Sequence, residues 1–458
     1  MEDTKKNVGL DLTSGSIFKQ LMIFVLPLLL ANIVQQLYDA VDMIVIGKFV
    51  GKIGSAGVST GSEVATLITF VATSFGSAGQ IYVAQLFGAK NRKAISEMIG
   101  TSLVFMIALA LLFTFMCFTC ADIFLGWLNC PEDSYAQARS YMVVVSLGFP
   151  FIFGYNMVCG ILRGMGEAKR PLIFIIVAAI ANIFMDLLMV VVFKMEAAGT
   201  AIATAAAQMA SFIAAFIFLY RKREQLGLDF SAKGLHINTQ HLGVILKLGL
   251  PLCAQSVFIH FTQLICSSRI NLYGSTATAT NGIGNRIQKL VNIFANSITA
   301  GSGAMVGQNI GARKHDRVKK IVFTTMGCAA CLAFMSILAA IFIPRQLFGL
   351  FSNDPDVLDL GVNYMRIDII IFVLSTIQGS FQEVVTGSGF TQLSFFIGVM
   401  DGVILRLGIS FLLAYTFDMG IIGFFYGNAL ARLGPATIAG AYFFSGKWKT
   451  RKLLAEKK

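Results

Sequence analysis

The sequence predicts an all-α polytopic membrane protein with twelve transmembrane helices in two pseudo-symmetric six-helix bundles. Three observations predict it: an apolar composition, the regular recurrence of long apolar segments, and an internal repeat. Of 458 residues, 56% are hydrophobic and 13% are charged, and the mean hydropathy is +0.74. A water-soluble domain has too little polar surface to cover so apolar a chain. The 40 Phe and 19 Met fit the same class, because helices surrounded by lipid can be apolar on every face.

Crossing the hydrocarbon layer takes about 20 apolar residues in helical form. Such segments, numbered here as spans 1 to 12, fall at 17–46, 54–84, 95–120, 136–162, 170–193, 198–220, 244–272, 276–307, 318–343, 357–386, 392–416 and 420–444. Span 8 is the least typical, since its first third holds Asn281, Asn285, Arg286 and Lys289. Basic residues gather at the N-terminus, in the even-numbered connections and at the C-terminus, as in Lys90/Arg92/Lys93, Arg221/Lys222/Arg223, Arg313/Lys314/Arg317 and the run from Lys447 to Lys458. Odd-numbered connections are acidic or neutral, as in Pro131-Glu132-Asp133 and Asn353-Asp354-Pro355-Asp356. This asymmetry places both termini in the cytoplasm. The net charge of +12 therefore reads as topology, and no nucleic-acid partner is expected. Met1 to Ser16 lacks an apolar core followed by a cleavage site, so no removable signal is expected.

The longest hydrophilic stretch, Arg221 to His241, lies at the middle of the chain. On this reading 1–16 is a cytoplasmic tail, 17–221 a first six-helix lobe, 222–243 a linker, 244–445 a second lobe and 446–458 a basic tail. The repeat supports the division. Leu26-Pro27 matches Leu250-Pro251, Gln85-Leu-Phe-Gly88-Ala-Lys matches Gln308-Asn-Ile-Gly311-Ala-Arg, and Gly164-Met-Gly166 matches Gly387-Ser-Gly389. Six is even, so both halves enter from the cytoplasm as parallel repeats, and transporters often place their substrate path between such repeats.

Charges inside apolar segments are costly and usually functional. Asp42 lies about 9 Å from the outer end of span 1 at Lys48, Asp186 about 12 Å from the outer end of span 5 near Lys194, and Thr204 about 9 Å into span 6 from the same side, at helical rise. Asn182 is one turn from Asp186 on the same face. Three spans of one half thus bring oxygen groups to a common depth, which suits Na⁺ or a proton as coupling ion at Asp42 and Asp186. Asp39 is the competing acid on span 1. Neither acid has an acidic counterpart at the repeat offset, so coupling is expected in the first half alone; His260, Glu383, Asp401 and Arg406 are the second half's polar candidates, with Asp401 and Arg406 read as a structural pair. Glu63 and Arg286 occupy matching repeat positions on spans 2 and 8 and are candidates for a gate. Pro27 removes a helical hydrogen bond and permits a kink in span 1. Gln35, Tyr38, Phe153, Phe261 and Phe294 are candidate cavity residues for flat cationic molecules. The pairs Cys117/Cys120 and Cys328/Cys331 sit in apolar helical runs without a His nearby and read as packing residues, not zinc or redox sites. No cofactor is expected.

These residues resemble the multidrug and toxic compound extrusion family. The resemblance rests on Pro27 followed by Gln35-Gln36-Leu-Tyr38-Asp-Ala-Val41-Asp42, on the Gln85-x-x-Gly88-Ala and Gln308-x-x-Gly311-Ala loops, and on Leu162-Arg163-Gly164-x-Gly166, in order within a duplicated twelve-helix frame. It implies export of organic cations and other amphiphiles against inward Na⁺ or H⁺ movement. It further implies that Asp42 is the acid whose loading drives the cycle and that Asn182, Asp186 and Thr204 complete the site, as in the DinF-like prokaryotic branch. A span 4 asparagine joins the cluster in some members; Asn156 is the nearest candidate here, with Cys159 the alternative. The chain is expected to be a monomer in the bacterial cytoplasmic membrane, with lipid and a small-molecule substrate as partners and no enzymatic activity. A lipid-linked saccharide exporter of the same superfamily and an uncoupled channel are the alternatives. No G-x-x-x-x-G-K-[ST] loop is present, so an ATP-driven pump is not expected.

Overall fold

Lipid offers no hydrogen-bond partners, so a crossing segment must satisfy its own backbone, and this chain does so as helix throughout. The computed structural model describes residues 9–226 and 236–456, and among them there is no strand. Parts of the expected tails and linker, 1–8, 227–235 and 457–458, lie outside the described residues.

In the first repeat, spans 1, 2 and 3 are Ile17–Val45, Gly51–Gly88 and Arg92–Thr119. Span 4 is Tyr135–Ser146 with Phe149–Gly164, span 5 is Lys169–Asp186 and span 6 is Glu196–Arg221. In the second repeat, spans 7 to 10 are Thr239–Asn271, Ser275–Gly311, His315–Phe342 and Pro355–Gly387. Span 11 is Thr391–Thr416, and span 12 is Gly420–Leu430 with Leu433–Phe444. Among the described residues, seven helical runs are long and apolar enough to cross a membrane, or eight if the two parts of span 4 count as one. The first of them, Ile17–Gly88, has 72 residues and would reach about 108 Å as one rod. It is two crossings: a π turn at Ile46–Val50 and Gly51, with φ 77°, turn the chain between them. Spans 8, 10 and 12 fall outside that set, and each carries buried or half-buried polar residues, among them Asn281, Asp368 and Arg432.

Packing divides the chain inside spans 1 and 7 and not at the linker. One unit takes the residues up to Asp11 and Leu26–Gly249; the other takes Leu12–Val25 and Leu250–Lys457. Each boundary lies beside a proline, Pro27 or Pro251, where a helix lacks one backbone hydrogen bond. Side-chain anchors explain the assignment. In the second unit the Leu12 N–H donates to Gln308 Oε1 at 3.0 Å, and Asn309 Nδ2 donates to the Leu12 carbonyl at 3.0 Å. Arg317 donates to the carbonyls of Gly15 at 2.8 Å and Ser14 at 3.0 Å. The glutamine of the repeated Gln-x-x-Gly-Ala loop thus holds the chain entering span 1. In the first unit the start of span 7 is held by His241, which is 5% exposed and lies between Tyr82 Oη at 2.9 Å and Glu97 Oε2 at 3.3 Å.

Within the first unit, spans 2 and 4 approach at backbone distance. A methyl group on Gly61 would stand 2.8 Å from the Ala138 carbonyl oxygen, and one on Gly160 would stand 2.0 Å from that of Gly76. Small residues at such seams are how apolar helices gain van der Waals contact in a solvent that gives no hydrophobic drive. Span 4 bends by 49° between its two parts, at Gly148 and next to Pro150, which gives its outer part a direction of its own.

The seam is testable. Gly160→Ala should lower the unfolding free energy by about 1–3 kcal/mol through overpacking. Gly327→Ala in span 9, where a methyl group meets nothing within 4 Å, should raise it by about 0.5–1 kcal/mol. Denaturant unfolding of the purified protein in detergent, followed by circular dichroism, checks both signs.

Candidate functional site in the first unit

Span 1 brings Asp42 and span 5 brings Asp186 into the same interior. The two carboxyl groups face each other within hydrogen-bonding range. Asp186 is fully buried and Asn182 is 2% exposed, as their one-turn spacing on a single helix face requires. Both oxygens of Asp186, one oxygen of Asp42 and the amide oxygen of Asn182 are buried with no hydrogen-bond donor directed at them. Ionised carboxylates only accept, so two of them cannot satisfy each other. Buried acceptor oxygens with no donor are what a proton or a hard cation would complete.

The wall of the site comes from spans 4 and 6. Thr204 Oγ donates to the Thr200 carbonyl at 3.0 Å, and the buried phenol of Tyr141 contacts the Thr204 hydroxyl and lies in the field of both acids. Tyr141 stands in the outer part of span 4, set against Gly61 of span 2. Sequence reasoning missed it, because a tyrosine in an apolar run looks like any packing aromatic until the span 4 bend and the glycine seam aim it. A π turn follows each acid, Ile46–Val50 one helical turn after Asp42 and Leu187–Val192 directly after Asp186, and the two turns pack against each other. Such bulges cluster at functional sites, since each re-aims the residues around it.

The other expected residues fall as follows. Asp39, the competing acid, accepts from Gln36 Nε2 at 3.4 Å. Gln35 Nε2 donates to Tyr38 Oη at 2.8 Å, and Tyr38, one turn before Asp42 on the same face of span 1, packs against Ile175 and Ala179 of span 5. Asn156 donates its amide to the Ile152 carbonyl at 2.8 Å, and Cys159 contacts Tyr155 of its own helix. Phe153, expected to line a cavity, is fully buried and packs on Phe113, which makes it a core residue of the first unit. Phe261 and Phe294 are exposed on the second unit. Glu63 lies in the first unit and Arg286 in the second. In the second unit Asp401 and Arg406 form a buried pair at 2.6 Å, and Thr386 donates to Glu383 at 3.4 Å. The eight cysteines are free thiols, and among the described residues no group of three or more His, Cys, Asp or Glu could hold a metal ion.

Comparison with known proteins agrees with this architecture. The family model MatE matches residues 27–188 and again 251–416. The probable multidrug resistance protein YpnP of Bacillus subtilis is 26% identical over 98% of this chain and 99% of its own length. A second protein of that organism, the probable multidrug resistance protein YoeA, is 24% identical over 96% of both chains. The multidrug export protein MepA of Staphylococcus aureus is 21% identical over 85% of this chain and 86% of its own. Among solved structures, an outward-facing multidrug resistance MATE family transporter of the MOP superfamily superposes with a TM-score of 0.89 at 19% identity, over 98% of this chain and 100% of that one. A MOP superfamily transporter from Pyrococcus furiosus gives 0.86 at 20% identity, over 97% and 98%. The two family matches start at Pro27 and Pro251, one in each repeat, and together they span most of the sequence, so this chain belongs to the MatE (multidrug and toxic compound extrusion) family of multi-pass membrane transporters.

Proposed function

We propose that this protein is a secondary active antiporter of the bacterial cytoplasmic membrane, with both termini cytoplasmic. It exports small amphiphilic or cationic compounds in exchange for inward Na⁺ or H⁺. The observation that carries this reading is the facing pair Asp42 and Asp186, whose buried acceptor oxygens no donor reaches. The relatives' names, which speak of multidrug resistance and multidrug export, support the substrate class.

The chemistry follows from the pair. With both acids ionised and unoccupied, their repulsion opposes close packing of spans 1 and 5. A proton shared between them, or Na⁺ held by Asp42, Asp186 and the Asn182 carbonyl, removes that repulsion and draws the two spans together. A ligand shifts a conformational balance only by its differential affinity for the two states. The pair supplies such a difference, because the loaded ion contacts oxygens from two spans that move relative to each other. Thr204 and Tyr141 orient the site from spans 6 and 4. Gln35, Tyr38, Phe261 and Phe294 are proposed to meet the substrate, and the protein is proposed to work as a monomer.

The test uses proteoliposomes loaded with ethidium, first under an imposed Na⁺ gradient and then under an imposed pH gradient. Whichever gradient drives efflux is the coupling ion. Asp42→Asn and Asp186→Asn, at equal reconstitution, should each reduce gradient-driven efflux at least tenfold. Undiminished efflux by Asp42→Asn would remove the mechanism, and equal flux with and without gradients would indicate a channel. Glu63→Gln and Arg286→Gln should each alter the efflux rate at least threefold if these residues close the outer side; wild-type rates in both variants would end the gate proposal.

A further inference from the structure

The two repeats can be aligned residue by residue from backbone landmarks. Pro27 corresponds to Pro251, a difference of 224 in residue number. Span 1 then contains the π turn Ile46–Val50, whereas span 7 is α-helical throughout Thr239–Asn271. A π turn takes up one extra residue. Beyond it the difference becomes 223, as three pairs with positive φ show: Gly51 (77°) with Gly274 (101°), Lys90 (59°) with Arg313 (57°), and Gly166 (83°) with Gly389 (72°). Span 11 carries an additional π turn at Met400–Leu407, which restores 224. Lys194 (55°) then pairs with Asp418 (53°), and Glu196 (49°) with Gly420 (54°).

This register names the second unit's counterpart of every residue in the coupling cluster. Asp42 corresponds to Cys266, Asp186 to Ser410, Thr204 to Asn428 and Tyr141 to Tyr364, while Asn182 falls at Arg406 at the end of the additional π turn. Part of the arrangement is kept in space, while Tyr364 Oη accepts from Gln288, which also donates to Asp368. Cys266 contacts Ser410, as Asp42 contacts Asp186. Arg406 donates to Asn428 Oδ1 and to Asp401 Oδ1 at 2.6 Å, and its charge acts on Cys266 and Tyr364. Arg406 is 2% exposed and Ser410 fully buried. The positions that hold two acids in the first unit thus hold a thiol and a hydroxyl in the second, with a guanidinium lodged among them. A guanidinium does not lose its proton in a protein and cannot leave its backbone.

We propose that the second unit retains the ion site as a permanently loaded copy, in which Arg406 takes the place of the coupling ion, so that ions are exchanged only at Asp42 and Asp186. Asp401, which has no acidic counterpart in the first unit, holds the tethered cation in place, and Arg432 secures Asp401 from span 12 at 3.3 Å. The inference rests on the coupling role proposed above for the first unit.

The test is the number of ions exchanged per ethidium, read as the ethidium gradient at which net flux reverses against a fixed gradient of the coupling ion. Arg406→Gln combined with Ser410→Asp removes the tethered cation and places an acid where the first unit has Asp186. This double variant should exchange one more ion per ethidium than the wild type, and a wild-type ratio overturns the proposal. Should the double variant fail to fold, Arg406→Gln and Arg406→Lys are compared at equal monodisperse yield. Arg406→Gln should lose at least tenfold in efflux and recover at least fivefold in guanidinium chloride at tens of millimolar, while Arg406→Lys keeps the wild-type ion ratio without it. Full efflux by Arg406→Gln, or no recovery with guanidinium, overturns the proposal. Asp42→Asn separates the two readings: if it keeps gradient-driven efflux, the first-unit reading itself has failed. If it abolishes efflux while the double variant keeps the wild-type ratio, only the present inference has.

Discussion

A buried acid, Asp186, facing a half-buried one, Asp42, is the constraint around which the first unit is organised. At about 4 Å, two unit charges repel by about 4 kcal/mol in a medium of effective dielectric near 20, and the lipid-embedded interior gives them no water to retreat to. A donor from a neighbouring side chain would end that repulsion, and none is directed at either oxygen of Asp186. The fold holds the two groups together all the same. The glycine seam between spans 2 and 4 and the contact of the two π turns set where spans 1 and 5 run. Binding energy for an ion is therefore stored in the arrangement before the ion arrives.

The break points of the helices serve that arrangement. A regular helix passing Asp42 or Asp186 would continue its 100° stepping and carry the next residues around the axis unchanged. A π turn within one helical turn after each acid shifts that phase by one residue, so the turns beyond can pack on each other while the acids face inward. The same device recurs in span 11, where the turn at Met400–Leu407 places Arg406 among the counterpart positions. Irregular helix thus marks both copies of the site, the one with free acceptors and the one with a fixed cation.

Much of this was readable from the residues, for identifiable reasons. Span count and repeat follow from hydropathy and from loop motifs, which depend on local chemistry alone. The convergence of Asp42, Asn182, Asp186 and Thr204 followed from their depth along three spans, because a membrane fixes a common origin from which depth is counted. What did not follow depended on rotation about helix axes. Tyr141 and Phe153 lie on one span, yet the bend at Gly148 and Pro150 sends one to the site and the other into the core. The second-unit copy stayed hidden because a constant offset slides past it: a single residue absorbed in span 1 and returned in span 11 turns Cys266, Arg406 and Ser410 into unrelated neighbours until the π turns are seen. The division at Leu26 and Leu250 was equally invisible, since a helix that changes packing partner midway keeps an uninterrupted apolar sequence.

An asymmetric pair of sites is also sufficient for the proposed cycle. Moving a two-state balance from 1:99 to 99:1 takes a differential affinity of about 5.5 kcal/mol, and making or breaking one buried ionic contact changes stability by about 3–5 kcal/mol. A single exchangeable site therefore covers most of the requirement, and substrate contacts can supply the remainder. Two exchangeable sites would exceed it and would hold the loaded state so firmly that return became slow. A guanidinium in the second copy avoids this outcome, since Arg406 is paired with Asp401 and donates to Asn428. It keeps that copy of the site at constant charge, and the pair in the first unit can then respond to the ion gradient.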